Sequence, residues 1–109
     1  MSGRLFLAQR ATAAILAFAV AAHLAMIILA ERSGLTAGAV LARTHRNAWL
    51  LAFYALFVAA ASIHAPIGLR NILLEWAGWR GRPLDLAVAG FGLVLLALGL
   101  RAAFAVYAA

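Results

Sequence analysis

Three long apolar stretches follow one another along the 109-residue chain, and short polar connections separate them. The stretches cover about residues 8–30, 47–76 and 84–107. A helix needs about 20 apolar residues to cross the ~30 Å hydrocarbon core of a bilayer, and each stretch is long enough. The pattern predicts an all-α integral membrane protein. We expect three transmembrane helices in an up-down-up bundle that forms a single domain over residues 1–109, with a short interfacial helix near residues 36–44.

The composition supports a membrane location. Hydrophobic residues make up 68% of the chain, whereas a soluble domain contains about 45–50%. Nine basic residues against three acidic ones give a formal net charge of +6. The arginines flank the apolar stretches, which is typical of interfacial anchoring and does not indicate a nucleic-acid partner. The chain has no cysteine, so it supplies neither a disulfide nor a ligand for an iron–sulfur cluster.

A histidine, His64, lies inside the second apolar stretch. Ionisable groups within a membrane are costly and usually mark a functional site. At about 100° per residue, one face of this helix combines small and polar side chains, namely Ala60, His64, Gly68, Asn71 and Glu75. Such a face could hold a flat, bulky ligand against the small residues through the imidazole. Arg70 and Asn71 would then meet polar groups at the ligand's edge.

The spacing of His64, Gly68 and Arg70, followed by Glu75-Trp76, resembles a known helix. It is the second transmembrane helix of the cytochrome b membrane-anchor subunits of succinate dehydrogenase and fumarate reductase. The resemblance implies that His64 is an axial ligand of haem b and that Gly68 gives the porphyrin room. It also implies that the acidic-aromatic pair lies beside a quinone pocket. The implied function is that of an electron-transfer subunit in a succinate:quinone or quinol:fumarate oxidoreductase.

The first helix extends the resemblance. Gln9-Arg10-Ala11-Thr12 occupies the place of the family's His-Arg-x-Ser/Thr segment, whose arginine lies near the quinone and the haem propionates. The implied haem-pocket and propionate residues are Gly68, Arg70, Asn71 and Arg10. The implied quinone-site residues are Arg10, Glu75 and Trp76. No catalytic residue is expected, because the anchor performs no succinate chemistry itself. That Arg10 serves only as an interfacial anchor remains an open alternative.

A second histidine, His23, lies within the first apolar stretch. It is either a packed core histidine or a ligand of a second haem. Counted from Arg10 and Arg70, His23 lies about 20 Å deep and His64 about 9 Å, at 1.5 Å per residue. One iron therefore cannot bind both without a large tilt or a shift in register. We expect the second ligand of the His64 haem to come from a related anchor subunit or from a second copy of this chain, because His45 falls in an interfacial connection.

The resemblance also implies partners and a location. The partners are the iron–sulfur and flavoprotein subunits, and the location is the bacterial inner membrane with the N-terminus in the cytoplasm. Two other classes stay open, a cofactor-free structural or assembly protein and a small transporter. The positions of the acidic residues disfavour a transporter, because Glu31, Glu75 and Asp85 all lie at segment ends.

Overall fold

The computed structural model describes residues 2–109, which form four α-helices and no strand. Helix α1 covers Gly3–Ser33, α2 Ala37–Thr44, α3 Ala48–Ile72 and α4 Arg82–Ala108. A single π-helical turn, Leu73–Ala77, continues α3. The three long helices, α1, α3 with its π-turn, and α4, are each long and apolar enough to cross a membrane. The prediction of an all-α protein with three membrane-spanning helices is confirmed.

Polar residues at the helix starts explain several of these boundaries. Ser2, Thr36 and Asn47 each accept a hydrogen bond from the backbone N–H three residues further along. These N-caps satisfy donors that the first turn of a helix leaves unpaired. The cap at Ser2 also explains why α1 begins upstream of residue 8, where the apolar pattern alone places its start. At α4, Pro83 lies in the first turn, where its missing N–H costs nothing.

Helix α3 packs against both α1 and α4. It runs antiparallel to both, as an up-down-up bundle requires, because later residues of α1 and α4 meet earlier residues of α3. The α1 side chains that pack inward recur every three or four residues, as in Leu5, Gln9, Thr12, Leu16, Ala19, His23, Met26 and Ala30. The opposite face of α1, with Arg10, Ala14, Ala17 and Ala21, is exposed. This face includes Ala13, Ala17 and Ala21, whose small-residue spacing suits close helix packing but which are exposed within the described chain.

Small residues bring α3 and α4 close together. A Cβ atom on Gly99 would lie 2.5 Å from Cγ1 of Val58, so any other residue would require the Val58 side chain to shift. Leu84, in the first turn of α4, is completely buried. At the other end of the bundle, the backbone N–H of Arg46 donates to the carbonyl of Tyr107 at 2.9 Å. This bond ties the connection between α2 and α3 to the end of α4.

Candidate functional site

His64 lies half-buried on α3 and faces α1. Its Nδ1 is 3.3 Å from Oγ1 of Thr12, a side chain that is only 5% exposed. Within residues 2–109, Nε2 of the imidazole has no hydrogen-bond partner. The sequence pattern did not predict this contact. A signal was available, because Thr12 is a polar residue on the same face of α1 as Gln9, within an apolar stretch.

Gln9 lies one turn before Thr12 and covers Gly68. Its Nε2 would be 3.5 Å from a Cβ added to Gly68, which is an ordinary contact. Its Oε1 is buried and has no hydrogen-bond partner among the described residues. A buried polar atom without a partner costs about 1–3 kcal/mol, so this position favours a ligand or partner that brings a donor. The wall beside His64 thus combines a free imidazole nitrogen, an unpaired amide oxygen and a residue without a side chain.

Arg70 forms an ion pair that the sequence pattern did not predict. Its Nε donates to Oδ1 of Asp85 in the first turn of α4, at 2.9 Å. The Asp85 side chain is 56% exposed, and exposed pairs contribute only about 0–1 kcal/mol to stability. The terminal guanidinium nitrogens of Arg70 make no hydrogen bond within the described chain. The pair therefore orients the guanidinium and leaves its other donors available.

The predicted face of α3 ends at Asn71. Ala60 is buried, and His64, Gly68 and Asn71 are half-buried, whereas Glu75 is exposed. Glu75 lies in the π-helical turn, and by the register of the Thr12–His64 contact it is level with the first residues of α1, where little of that helix remains to cover it. Trp76, in the same turn, is 85% exposed. The acidic-aromatic pair thus lies at the end of the bundle and outside its core.

Arg10 does not contact the other candidate residues. Its guanidinium carbon lies 5.9 Å from the centre of the Phe6 ring, one turn toward the N-terminus, and the residue is exposed. Thr12 is level with His64 along the bundle axis, and Gln9 is level with Gly68. By the same antiparallel register, Phe6 is level with about Asn71. The guanidinium of Arg10 is thus at the depth of Arg70 and Asn71, the residues expected to meet the polar edge of the ligand. It lies on the face of α1 that points away from α3.

His23 packs against aromatic side chains of α3. Its ring meets those of Tyr54 and Phe57 edge-on, with centroid distances of 5.9 Å and 5.7 Å. These residues precede His64 by about two to three helical turns, so the two imidazoles are roughly 10–15 Å apart along the axis. One iron cannot join them at that separation. His23 also lines a cavity of about 350 Å³ that reaches Arg43.

A larger cleft of about 730 Å³ lies between α3 and α4. Its lining is mostly apolar, and the Arg70–Asp85 pair closes one end. Within residues 2–109 no three His, Cys, Asp or Glu side chains are grouped to hold a bare metal ion. A haem iron needs fewer ligands from the protein, because the porphyrin provides four nitrogen ligands and the protein provides only the axial ones. The residues around His64 fit that requirement for one axial position.

Comparison with models of protein families matches residues 2–106 to a family described as succinate dehydrogenase/fumarate reductase transmembrane subunit. The match spans α1, α2, α3 and nearly all of α4. Searches of curated proteins and of solved structures gave no match. The matched range includes every candidate residue of the site.

Proposed function

Because the chain belongs to the succinate dehydrogenase/fumarate reductase transmembrane subunit family, we propose that it is a haem b-binding membrane anchor with a quinone site. It would serve a succinate:quinone or quinol:fumarate oxidoreductase. The observation that carries the proposal is the state of His64, whose Nδ1 contacts Thr12 while Nε2 has no partner. Metal-binding histidines usually have this arrangement, with one ring nitrogen hydrogen-bonded and the other free for the metal.

In this proposal the residues near His64 have different roles: one binds the iron, some line the porphyrin, and a polar group contacts the propionates at its edge. His64 would hold the iron, and Gly68 with Gln9 would form the adjacent wall. Arg70, Asn71 and Arg10 would meet the propionates. When bound, haem b supplies one-electron transfer. The support for the polar edge is that Arg70 keeps its terminal nitrogens free while Asp85 holds its Nε.

The proposed quinone site lies at the same end of the bundle. Trp76 presents an exposed indole whose N–H can donate one hydrogen bond to a quinone carbonyl. Glu75, beside it, is also exposed and can accept a hydrogen bond or exchange a proton. Arg10 would contribute positive charge from α1. An exposed, aromatic π-helical turn supports this assignment, because π-turns within helices are frequent at functional sites.

We propose that the iron–sulfur and flavoprotein subunits bind this end of the anchor. The connection between α3 and α4 is exposed there and carries Arg80, and the exposed Arg82 begins α4. In this arrangement the N-terminus is in the cytoplasm and the helices cross the bacterial inner membrane. An electron donor docked at this end would be close to both the His64 site and the quinone site.

A second anchor chain would supply the other axial ligand. His23 is too far along the axis to share the iron of His64, and His45 is exposed at the end of α2. The exposed alanine face of α1, which has Ala14, Ala17 and Ala21, supports association, since small residues let transmembrane helices approach closely. The second chain would be either a related anchor subunit or another copy of this one.

An absorbance spectrum of the purified complex tests the proposal. We expect the Soret and α bands of a bis-histidine haem, which His64→Ala should abolish. His45→Ala is the matched control, because it removes an exposed histidine outside the site and should leave the spectrum unchanged. A wild-type complex with no haem bands, or a His64→Ala variant with normal ones, would contradict the proposal. The first result would instead favour a cofactor-free structural or assembly protein.

A further inference from the structure

The hydroxyl of Thr12 has three polar neighbours. Its Oγ1 is 2.7 Å from the carbonyl oxygen of Ala8, 3.2 Å from that of Gln9 and 3.3 Å from Nδ1 of His64. A threonine hydroxyl has one hydrogen to donate and lone pairs with which to accept. Carbonyl oxygens can only accept. The atom that accepts this single hydrogen therefore determines whether the hydroxyl donates to the imidazole or accepts a hydrogen bond from it.

The distances assign that hydrogen to Ala8. A separation of 2.7 Å is the preferred length for an O–H donor, whereas 3.3 Å is well beyond the usual range for an O–H donor and only slightly beyond that for an N–H donor. Donation to the carbonyl four residues earlier is also the common bond of a threonine within a helix. Toward His64 the hydroxyl then acts as an acceptor, so Nδ1 must carry the ring proton.

We propose that Thr12 is a positioning residue, which holds neutral His64 in the Nδ1–H tautomer and keeps the Nε2 lone pair free for a metal. The inference concerns the chain itself, and its consequence for haem rests on the proposed function. In water, neutral histidine prefers the opposite tautomer, with the proton on Nε2. Thr12 would therefore act against the intrinsic preference of the ring, as hydrogen-bond partners of metal-binding histidines generally do.

The direct test is ¹⁵N NMR of the full chain, labelled at histidine and embedded in lipid nanodiscs without haem. At a pH of about 8.5 free imidazole is neutral, and the nitrogen shifts distinguish the two tautomers. The signal of His64 is assigned by its loss in His64→Gln. We expect wild-type His64 to be protonated at Nδ1 and unprotonated at Nε2. A wild-type ring protonated at Nε2 would overturn the inference.

Two substitutions separate the hydroxyl from the shape of the side chain. Thr12→Val keeps the shape and removes the acceptor, so the Nε2–H tautomer should become the major one. Thr12→Ser restores a hydroxyl and should restore the wild-type tautomer. Thr44→Val is the matched control, because Thr44 is also buried and bonds a carbonyl four residues earlier, but belongs to α2. A Thr12→Val chain that retains the Nδ1–H tautomer would contradict the proposal.

Haem retention provides a second readout in the assembled complex. Loss of a hydrogen-bond partner of a metal ligand typically lowers affinity about 10- to 100-fold, and we expect a loss of that size in Thr12→Val. Thr12→Ser should retain haem as the wild type does. If the wild-type complex holds no haem, the proposed function fails while the NMR result still decides the tautomer. If haem affinity in Thr12→Val equals that of the wild type, Thr12 does not position the ligand.

Discussion

Gly92 of α4 lies directly against the carbonyl oxygen of Ser62 on α3. A Cβ on Gly92 would be 2.9 Å from that oxygen and 2.9 Å from Cγ of Pro66. Pro66 has no N–H, so it cannot donate to the carbonyl four residues earlier, which is that of Ser62. The carbonyl that proline frees in α3 is thus covered by the glycine of the neighbouring helix. Proline and glycine at this crossing together allow α3 and α4 to pack closely.

We predict that Gly92→Ala destabilises the chain. Neither a backbone carbonyl nor a proline ring can move aside easily, so the added methyl should cost about 1–3 kcal/mol through overpacking. Thermal unfolding of the chain in detergent should show a lower midpoint. Gly90→Ala is the matched control, because a Cβ there has no atom within 4 Å, and it should be neutral or slightly stabilising. Equal midpoints for the two variants would contradict the close packing at Gly92.

A second prediction concerns the charges of Arg70 and Asp85. If Arg70 lies beside the haem propionates, its positive charge favours the reduced haem, which carries one more electron. Arg70→Gln should then lower the midpoint potential, and Asp85→Asn should raise it. Redox titration of the purified complex measures both shifts. Unfolding of Asp85→Asn should differ from wild type by less than about 1 kcal/mol, because the pair is partly exposed.

The control for these charges is Glu31→Gln, which removes an exposed acid near the other end of α1 and should leave the potential unchanged. Shifts of opposite sign in the two site variants, and none in the control, are the expected result. If Arg70→Gln and Asp85→Asn both leave the potential unchanged, Arg70 does not lie near the haem.

The sequence was sufficient to predict the fold, because the length and hydropathy of each span are local properties that require no knowledge of packing. The contact between Thr12 and His64 was harder to predict, since it depends on the axial register of α1 against α3. The Arg70–Asp85 pair depends in the same way on how α4 packs against α3, which apolar periodicity does not determine. The π-turn at Glu75 was missed because helical-wheel arithmetic assumes regular α-helix throughout.

Trp76 provides a test of the quinone site. Trp76→Phe keeps an exposed aromatic ring but removes the indole N–H, and a lost hydrogen bond of about 0.5–1.5 kcal/mol corresponds to roughly a 2- to 12-fold rise in KM for quinone. Trp76→Ala should have a larger effect. Quinone reductase assays of the assembled complex measure both, and haem content should stay constant. Trp49→Phe is the control, because Trp49 is equally exposed but begins α3 at the opposite end. Normal quinone kinetics in Trp76→Ala would place the quinone elsewhere.

The last prediction is that the haem lies between two polypeptides. A low-spin haem b with two axial histidines needs a ligand besides His64, and this chain cannot provide it within the described bundle. His23 packs among aromatic rings roughly 10–15 Å away along the axis, and His45 is exposed at the end of α2. The second imidazole should therefore belong to another chain.

The two histidines of the membrane helices should respond differently to substitution. His64→Ala should abolish haem binding and weaken subunit association, since the iron would join the two chains, whereas His23→Ala should leave the His64 haem in place. Absorbance spectra and size-exclusion chromatography of the purified complexes measure both effects. In a symmetric pair of identical chains, two His64 side chains would face each other across the iron, giving one haem for two chains. A related anchor subunit would instead give one haem for each copy of this chain. If His64→Ala retains a full bis-histidine spectrum, both the ligand assignment and the interfacial haem are wrong.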